Sequence, residues 1–180
     1  MGVPSGRDLN RGWGRANDME PVTEWLRHRF PAVRNLGPDA LEQLLREERG
    51  RLLVLDVRSP AEYEVSHLEG AIRVDPQTTD MEKVVKELGL AGSPERTVVC
   101  YCTVGYHASQ MAQKLSEVWA RDSGPSVPVM PEVYNLDGGL RKWSQENRPM
   151  VDGSSHLTSQ VHPYSQLWDQ LLEADFKPPE

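Results

Sequence analysis

The chain has 180 residues, 20 basic and 27 acidic, giving a formal net charge of −7, with 38% hydrophobic and 26% charged residues. That is one domain plus about 30 to 50 residues at the ends, with enough apolar content for one core, which excludes a wholly disordered chain and disfavours a two-domain enzyme. No basic stripe stands out, so no nucleic-acid partner is expected, and apolar runs such as Leu52 to Leu55 fall far short of the roughly 20 residues that span a bilayer, so no membrane is expected either.

Residues 1–20 are rich in Gly, Arg and Asn and read as a flexible leader. They lack a secretory apolar core, and Gly6 sits where a myristoylation signal needs Ser or Thr; the three arginines up to Arg15 leave a mitochondrial presequence open, against Asp8 and Asp18. The reading favours an intracellular, cytoplasmic protein. Residues 21–150 read as one domain with an N-terminal helical extension, in which Val22, Trp25, Leu26 and Phe30 line one face of a short helix that stops at Pro31.

Pro38 and Asp39 open a second helix with Leu41, Leu44 and Leu45 inward and Gly50 as its stop. Leu52 to Val57 reads as a strand; its apolar run does not alternate before Asp56, which implies burial on both faces and therefore a central parallel strand. Ser59, Pro60 and Glu62 spell a capping box with proline at the first helical position, and Ala71 to Val74 gives a strand. Thr79 and Glu82 suggest another capping box before Met81, Val84, Val85 and Leu88, with Gly89 as terminator.

Thr97 to Cys102 is a further buried strand. A helix from about His107 carries Met111, Ala112, Leu115, Val118 and Trp119 on one face, and Asp122 to Pro131 is a loop. Glu132 to Leu136 is the last strand, followed by a tight turn at Asp137, Gly138 and Gly139 and a helix starting at Leu140 to Trp143. Strands alternating with helices at this spacing indicate an α/β fold, a mainly parallel central sheet with helices on both faces. Residues 151–180 read as a polar linker and a short amphipathic helix, whose stripe of Tyr164, Leu167, Trp168, Leu171 and Leu172 either folds back on the domain or meets a protein partner.

The only cysteines, Cys100 and Cys102, are one residue apart, which argues against a stapling disulfide. Cys102 ends a buried strand, before a glycine-containing turn and an amphipathic helix, so backbone N–H groups and a helix N-terminus should converge on its sulfur and favour the anion. A free thiol is only about 3% thiolate at pH 7, and such sites can lower the pKa by about two units, which makes Cys102 a candidate nucleophile against the alternative of a buried structural thiol. Cys100 should face the same side as a packing residue. A metal site of Cys100, Cys102 and His107 lacks a fourth ligand, so none is expected.

The ordered blocks LDVRSPAEYEVSHLEGAIRV, VVCYCTVGYHASQMAQKL and VYNLDGGLRKW, over about residues 36–150, resemble the rhodanese (thiosulfate sulfurtransferase) homology domain of the single-domain type. The resemblance implies a persulfide-carrying Cys102 inside an active-site loop of Thr103, Val104, Gly105, Tyr106 and His107. It implies sulfane-sulfur transfer from a small donor to a thiol or cyanide without a metal or organic cofactor. It also makes Asp56 and Arg58 a structural pair, and Glu62, His67, Gly70, Ala71, Asp137, Gly138, Gly139 and Trp143 scaffold.

The common loop of that family, C-x-x-G-x-R, here reads C-T-V-G-Y-H, so His107 replaces a permanent cation with a conditional one and Thr103 stands where many members carry a second arginine. Anionic donors such as thiosulfate should bind less well, and turnover should be reduced or shifted toward less charged donors. The alternative is a rhodanese-like protein-binding module without turnover. Phosphatases of related fold use a loop of five residues between cysteine and arginine, whereas four residues separate Cys102 from His107, which argues against phosphate chemistry.

Overall fold

A computed structural model describes residues 20–89, 96–123 and 132–161. Five parallel strands form the central sheet in the order β1-β5-β4-β2-β3, namely Arg34–Leu36 (β1), Leu52–Asp56 (β2), Ile72–Arg73 (β3), Thr97–Tyr101 (β4) and Glu132–Leu136 (β5). The register sets Leu55 beside Cys100 and Val99 beside Tyr134, so the chemistry-bearing end of β4 lies in the sheet's middle. Both neighbours run parallel to β4, and β2 and β4 are buried along nearly their whole length, as their unbroken apolar runs require.

The sheet splits the core in two. On one face Leu53, Leu55, Val98, Cys100 and Cys102 pack against α4 (Met81–Glu87) and α5 (Tyr106–Ser123). On the other, Val54, Val99 and Tyr101 pack against Leu41 of α2 (Pro38–Glu47) and Leu140 and Trp143 of α6 (Gly139–Gln145). Cys100 and Cys102 share a face, as the period-two rule demands. The capping box of α3 (Pro60–Val65) is formed in full: the Glu62 N–H donates to Ser59 Oγ, and the Ser59 N–H donates to Glu62 Oε1.

Several details differ from the sequence reading. Helix α2 ends at Glu47, and Gly50 lies within a 3-10 turn at Arg49–Arg51, so Gly50 is not its stop. The cap of α4 is Asp80, whose Oδ1 accepts the Lys83 N–H, in place of Thr79; Gly89, at φ +68°, does end that helix. Strand β1 was not expected, because three residues at a sheet edge carry no readable alternation. The start of the polar linker holds a small antiparallel pair, Met150–Val151 (β6) with Leu157–Thr158 (β7), and His67 exchanges two backbone hydrogen bonds with Val151. Nearly all of the leader, the side chain of Trp119, and the stripe from Tyr164 to Leu172 lie outside the described residues.

The N-terminal extension is α1 (Glu20–Arg29), and its apolar face does not join either half of the main core. Leu26 and Phe30 form a third cluster with Val104 of the loop after β4. No helix among the described residues is long and apolar enough to cross a membrane.

Candidate active site

Cys102 follows the last residue of β4, and its loop turns into α5 within three residues. Gly105 takes φ +126°, a conformation that side-chain-bearing residues rarely adopt, and this turn brings the amides round to the sulfur. The N–H of Gly105 donates to Sγ at 3.1 Å and that of Ala108 at 3.4 Å. The loop's outward carbonyls have their own donors: the Leu140 N–H donates to the Cys102 carbonyl at 2.9 Å and the Arg141 N–H to that of Thr103 at 3.0 Å. The first turn of α6 thus holds the carbonyls away from the sulfur and leaves the loop N–H groups facing it.

Gly139 makes that contact possible. Its φ is +61°, and a Cβ there would stand 2.4 Å from the Thr103 carbonyl oxygen. Helix α1 holds the loop from another side: Tyr106 stacks on Trp25 with ring centroids 6.1 Å apart and meets the edge of Phe30 at 5.6 Å, while Arg27 Nη2 donates to Asp137 Oδ2 at 2.8 Å. Thr103, Val104, Tyr106 and His107 line the same cavity as Cys102, the Gly105 N–H donates to its sulfur, and α1, which was not anticipated here, packs against this loop without lining the cavity. The stripe of Trp25, Leu26 and Phe30 was the available signal, since an apolar face of that size requires a surface to cover.

Cys102 is among the residues that line a cavity of about 370 Å³, with Val57, Pro60, Glu62, Arg73, Tyr106 and His107. Cys102 itself is only 2% exposed. Burial pushes its thiol pKa up, and the amides of Ala108, Gly105, His107 and Val104 pull it down without cancelling that effect. The resting sulfur is therefore a thiol, contrary to the expectation of an anion; the amides converge as expected, but in a site where desolvation outweighs them. Burial likewise pushes the Cys100 thiol up, far from reactivity.

His107 is half-buried, and burial lowers its pKa against the opposing pull of a Gln110 hydrogen bond and the Glu62 charge. At neutral pH it is an uncharged imidazole. Asp56 and Arg58 are the structural pair: Nε and Nη2 of Arg58 donate to the two Asp56 oxygens at 2.8 Å each, Nη2 also donates to the Ser66 carbonyl, and Tyr101 Oη donates to Asp56 Oδ2 at 2.6 Å. Nη1 of Arg58 is buried without a hydrogen-bond partner among the described residues. His67 stacks on Tyr63 at 3.7 Å, and its Nδ1 lies 2.7 Å from the Tyr63 carbonyl, a packed histidine away from the sulfur.

Glu62 is the residue that sequence reasoning assigned to scaffold alone. It serves the capping box through Oε1, yet it is 5% exposed, lines the cavity, and its Oε2 lies 3.5 Å from Thr103 Oγ1, on the residue next to Cys102.

The family described as Rhodanese-like domain matches residues 37–146. The chain belongs to the rhodanese-like domain family. Among solved structures, this rhodanese-like chain is similar to the BH2092 protein from Bacillus halodurans, with 19% identity and a TM-score of 0.51 over 82% of this chain and 98% of that one. It is also similar to thiosulfate sulfurtransferase from Pseudomonas aeruginosa, with 17% identity and a TM-score of 0.53 over 87% of this chain and 27% of that one. At these identities the likeness carries the fold alone.

Curated relatives include a tRNA uridine(34) hydroxylase of Chlamydia felis, 34% identical over 54% of this chain and 28% of the relative, and the HTH-type transcriptional regulator Rv0324 of Mycobacterium tuberculosis, 31% identical over 63% and 43%. The rhodanese-like chain thus spans less than half the length of these relatives. Helix α1 precedes the matched residues, so the clamp on the loop comes from outside the matched segment.

Proposed function

We propose that this chain is a sulfurtransferase that carries sulfane sulfur as a persulfide on Cys102. The observation that carries the reading is a sulfur to which two backbone N–H groups donate, on a residue that lines a cavity. Sγ attacks the outer sulfur of a donor, the donor's S–S bond breaks, and the leaving group departs with the electron pair. With thiosulfate the leaving group is sulfite, which takes up the proton released by the thiol; with a thiol persulfide it is the thiol. An acceptor thiol or cyanide then attacks the outer sulfur of the Cys102 persulfide and restores the thiol or thiolate.

The amides matter most after the first step. A thiol persulfide ionises more readily than a thiol, and the N–H groups of Gly105 and Ala108, which donate to Sγ, stabilise that anion where a neutral thiol gains little from them. The raised thiol pKa slows the attack, since only the thiolate fraction reacts, and the accessible chemistry is covalent and two-step.

Mass spectrometry after exposure to thiosulfate or cysteine persulfide should show one added sulfur, mapped to Cys102 and absent from Cys102→Ser. A mass unchanged by every donor overturns the reading. The same 2% exposure and neutral thiol favour a second reading, a rhodanese-like module that binds a protein without turnover. If His107→Arg creates thiosulfate turnover from none, that second reading holds. The acceptor screen includes tRNA, which the names of the chlamydial relatives bring in, although the net charge of −7 disfavours a polyanion.

A further inference from the structure

We infer that Arg73 is a specificity-determining residue of the Cys102 cavity, a fixed cation supplied from the sheet edge that binds the oxyanion end of a sulfur donor, a sulfite group or a carboxylate. The sulfur-transfer part of this inference rests on the persulfide reading, and the anion-binding part on the guanidinium and its surroundings.

Strand β3 lies at an edge of the sheet, and its second residue, Arg73, pairs in register with Asp56 of β2. Arg73 and Arg58 are both among the residues that line the cavity. Nη1 of the half-buried Arg73 donates to the Arg58 carbonyl at 3.0 Å, which ties the guanidinium to that wall and removes much of the rotamer freedom an arginine would otherwise lose on binding.

A guanidinium has five N–H donors and keeps its charge in proteins. The Arg58 carbonyl takes one of them. Among the described residues Arg73 forms no ion pair, whereas Nε and Nη2 of Arg58 both go to Asp56. Asp75 lines the same cavity, but it is exposed, its Oδ1 accepts the Gln77 N–H at 2.8 Å, and no ion pair joins it to Arg73. The remaining Arg73 donors can therefore meet an oxyanion, to which a guanidinium offers two parallel N–H groups.

The loop from Thr103 to His107 holds no arginine or lysine, so the fixed positive charge of the cavity comes from β3. Val57, Pro60 and Pro76 on the wall limit its screening by water. Thiosulfate and a carboxylate-bearing persulfide share one layout, a sulfane sulfur at one end for Cys102 and an oxyanion at the other. Glu62, Asp75, His107 and Lys114 bear on the same region, and the effect of Arg73 is read as a difference with those groups unchanged.

The test measures thiosulfate binding by calorimetry at pH 7 to the Cys102→Ser protein, in which no sulfur can be transferred, with and without a second substitution. Arg73→Gln, which keeps an N–H for the Arg58 carbonyl, should weaken binding about fivefold. Arg73→Lys, which keeps the charge and loses the paired N–H groups, should fall between the two, and added sodium chloride should weaken binding less in the Gln variant than in its parent. With Cys102 intact, Arg73→Gln should raise KM for thiosulfate about fivefold and hold kcat within about twofold, the pattern of lost substrate binding.

An affinity that Arg73→Gln leaves unchanged overturns the proposal, as does an Arg73→Lys protein as weak as Arg73→Gln, or absence of thiosulfate binding to the parent. Binding that depends on Arg73 in a protein that accepts sulfur from no donor would uphold the anion site and overturn the sulfurtransferase reading.

Discussion

The ring of Tyr106, the residue after Gly105, lies nearly parallel to that of Trp25, with an interplanar angle of 14°. This contact joins the loop that surrounds Cys102 to a helix outside the segment matched to the family. Leu26 strengthens it: buried to 5% exposure, its Cδ1 lies 3.1 Å from where a Cβ on Gly105 would be. Leu26→Ala should cost about 2–4 kcal/mol in urea unfolding. It should also lower the persulfidation rate of Cys102 in the fraction that remains folded, because the Gly105 amide loses its backing. A variant with the stability loss but an unchanged rate would show that α1 supports the fold and not the sulfur.

Gly139 should tolerate no side chain. A Cβ would stand 2.4 Å from the Thr103 oxygen and 2.7 Å from the Cys102 oxygen, both backbone atoms that cannot step aside. Gly139→Ala combines that collision with a left-handed backbone, so a loss of about 2–4 kcal/mol is expected, together with loss of persulfide formation. The readouts are the denaturation midpoint and the mass of the thiosulfate-treated protein.

The Asp56 carboxylate sits between Arg58 and Tyr101 with essentially no exposure. Asp56→Ala leaves the guanidinium buried and unpaired, at a cost of about 3–5 kcal/mol. The double variant Asp56→Ala with Arg58→Met should recover part of that loss, since no uncompensated charge remains. A denaturant-based cycle over the two singles and the double checks the coupling.

The pH dependence of donor binding follows from His107. A base whose pKa is lowered by burial gains its proton only as pH falls below the ordinary value of 6.5, so the cation is missing at pH 7. Thiosulfate binding should therefore strengthen with an inflection below 6.5, and His107→Gln should flatten it, although Glu62, Asp75 and Lys114 face the same region. For folding, the neutral imidazole contributes stability in full above 6.5, and this is lost as pH falls and the unfolded chain takes up its proton. Titration of binding by calorimetry from pH 5 to 8 tests the sign; identical profiles for wild type and variant would remove His107 from the account.

Legibility in the sequence followed the range of the interaction. The capping box at Ser59 and Glu62 and the doubly buried runs of β2 and β4 are local patterns, and they appear as read. The turn at Gly138 and Gly139 was also visible, but its reason, the approach of α6 to the loop carbonyls, joins segments 36 residues apart between Thr103 and Gly139. The sulfur's protonation state went the other way from expectation because spacing displays the amide donors and hides the burial. Glu62 shows the same limit: its capping role is written in four residues, and its presence at the cavity depends on β4 lying beside β2.

The clamp by α1 bears on how this domain is handled. A version trimmed to start at residue 37 would lose the edge strand β1, keep the other four strands and the capping box of α3, and strip Val104 and Tyr106 of the hydrophobic neighbours they have on Leu26, Phe30 and Trp25. Two apolar side chains at the mouth of the site would then face water, where a second molecule can stick to them. Expression trials should keep the upstream helix even though the recognisable homology begins after it.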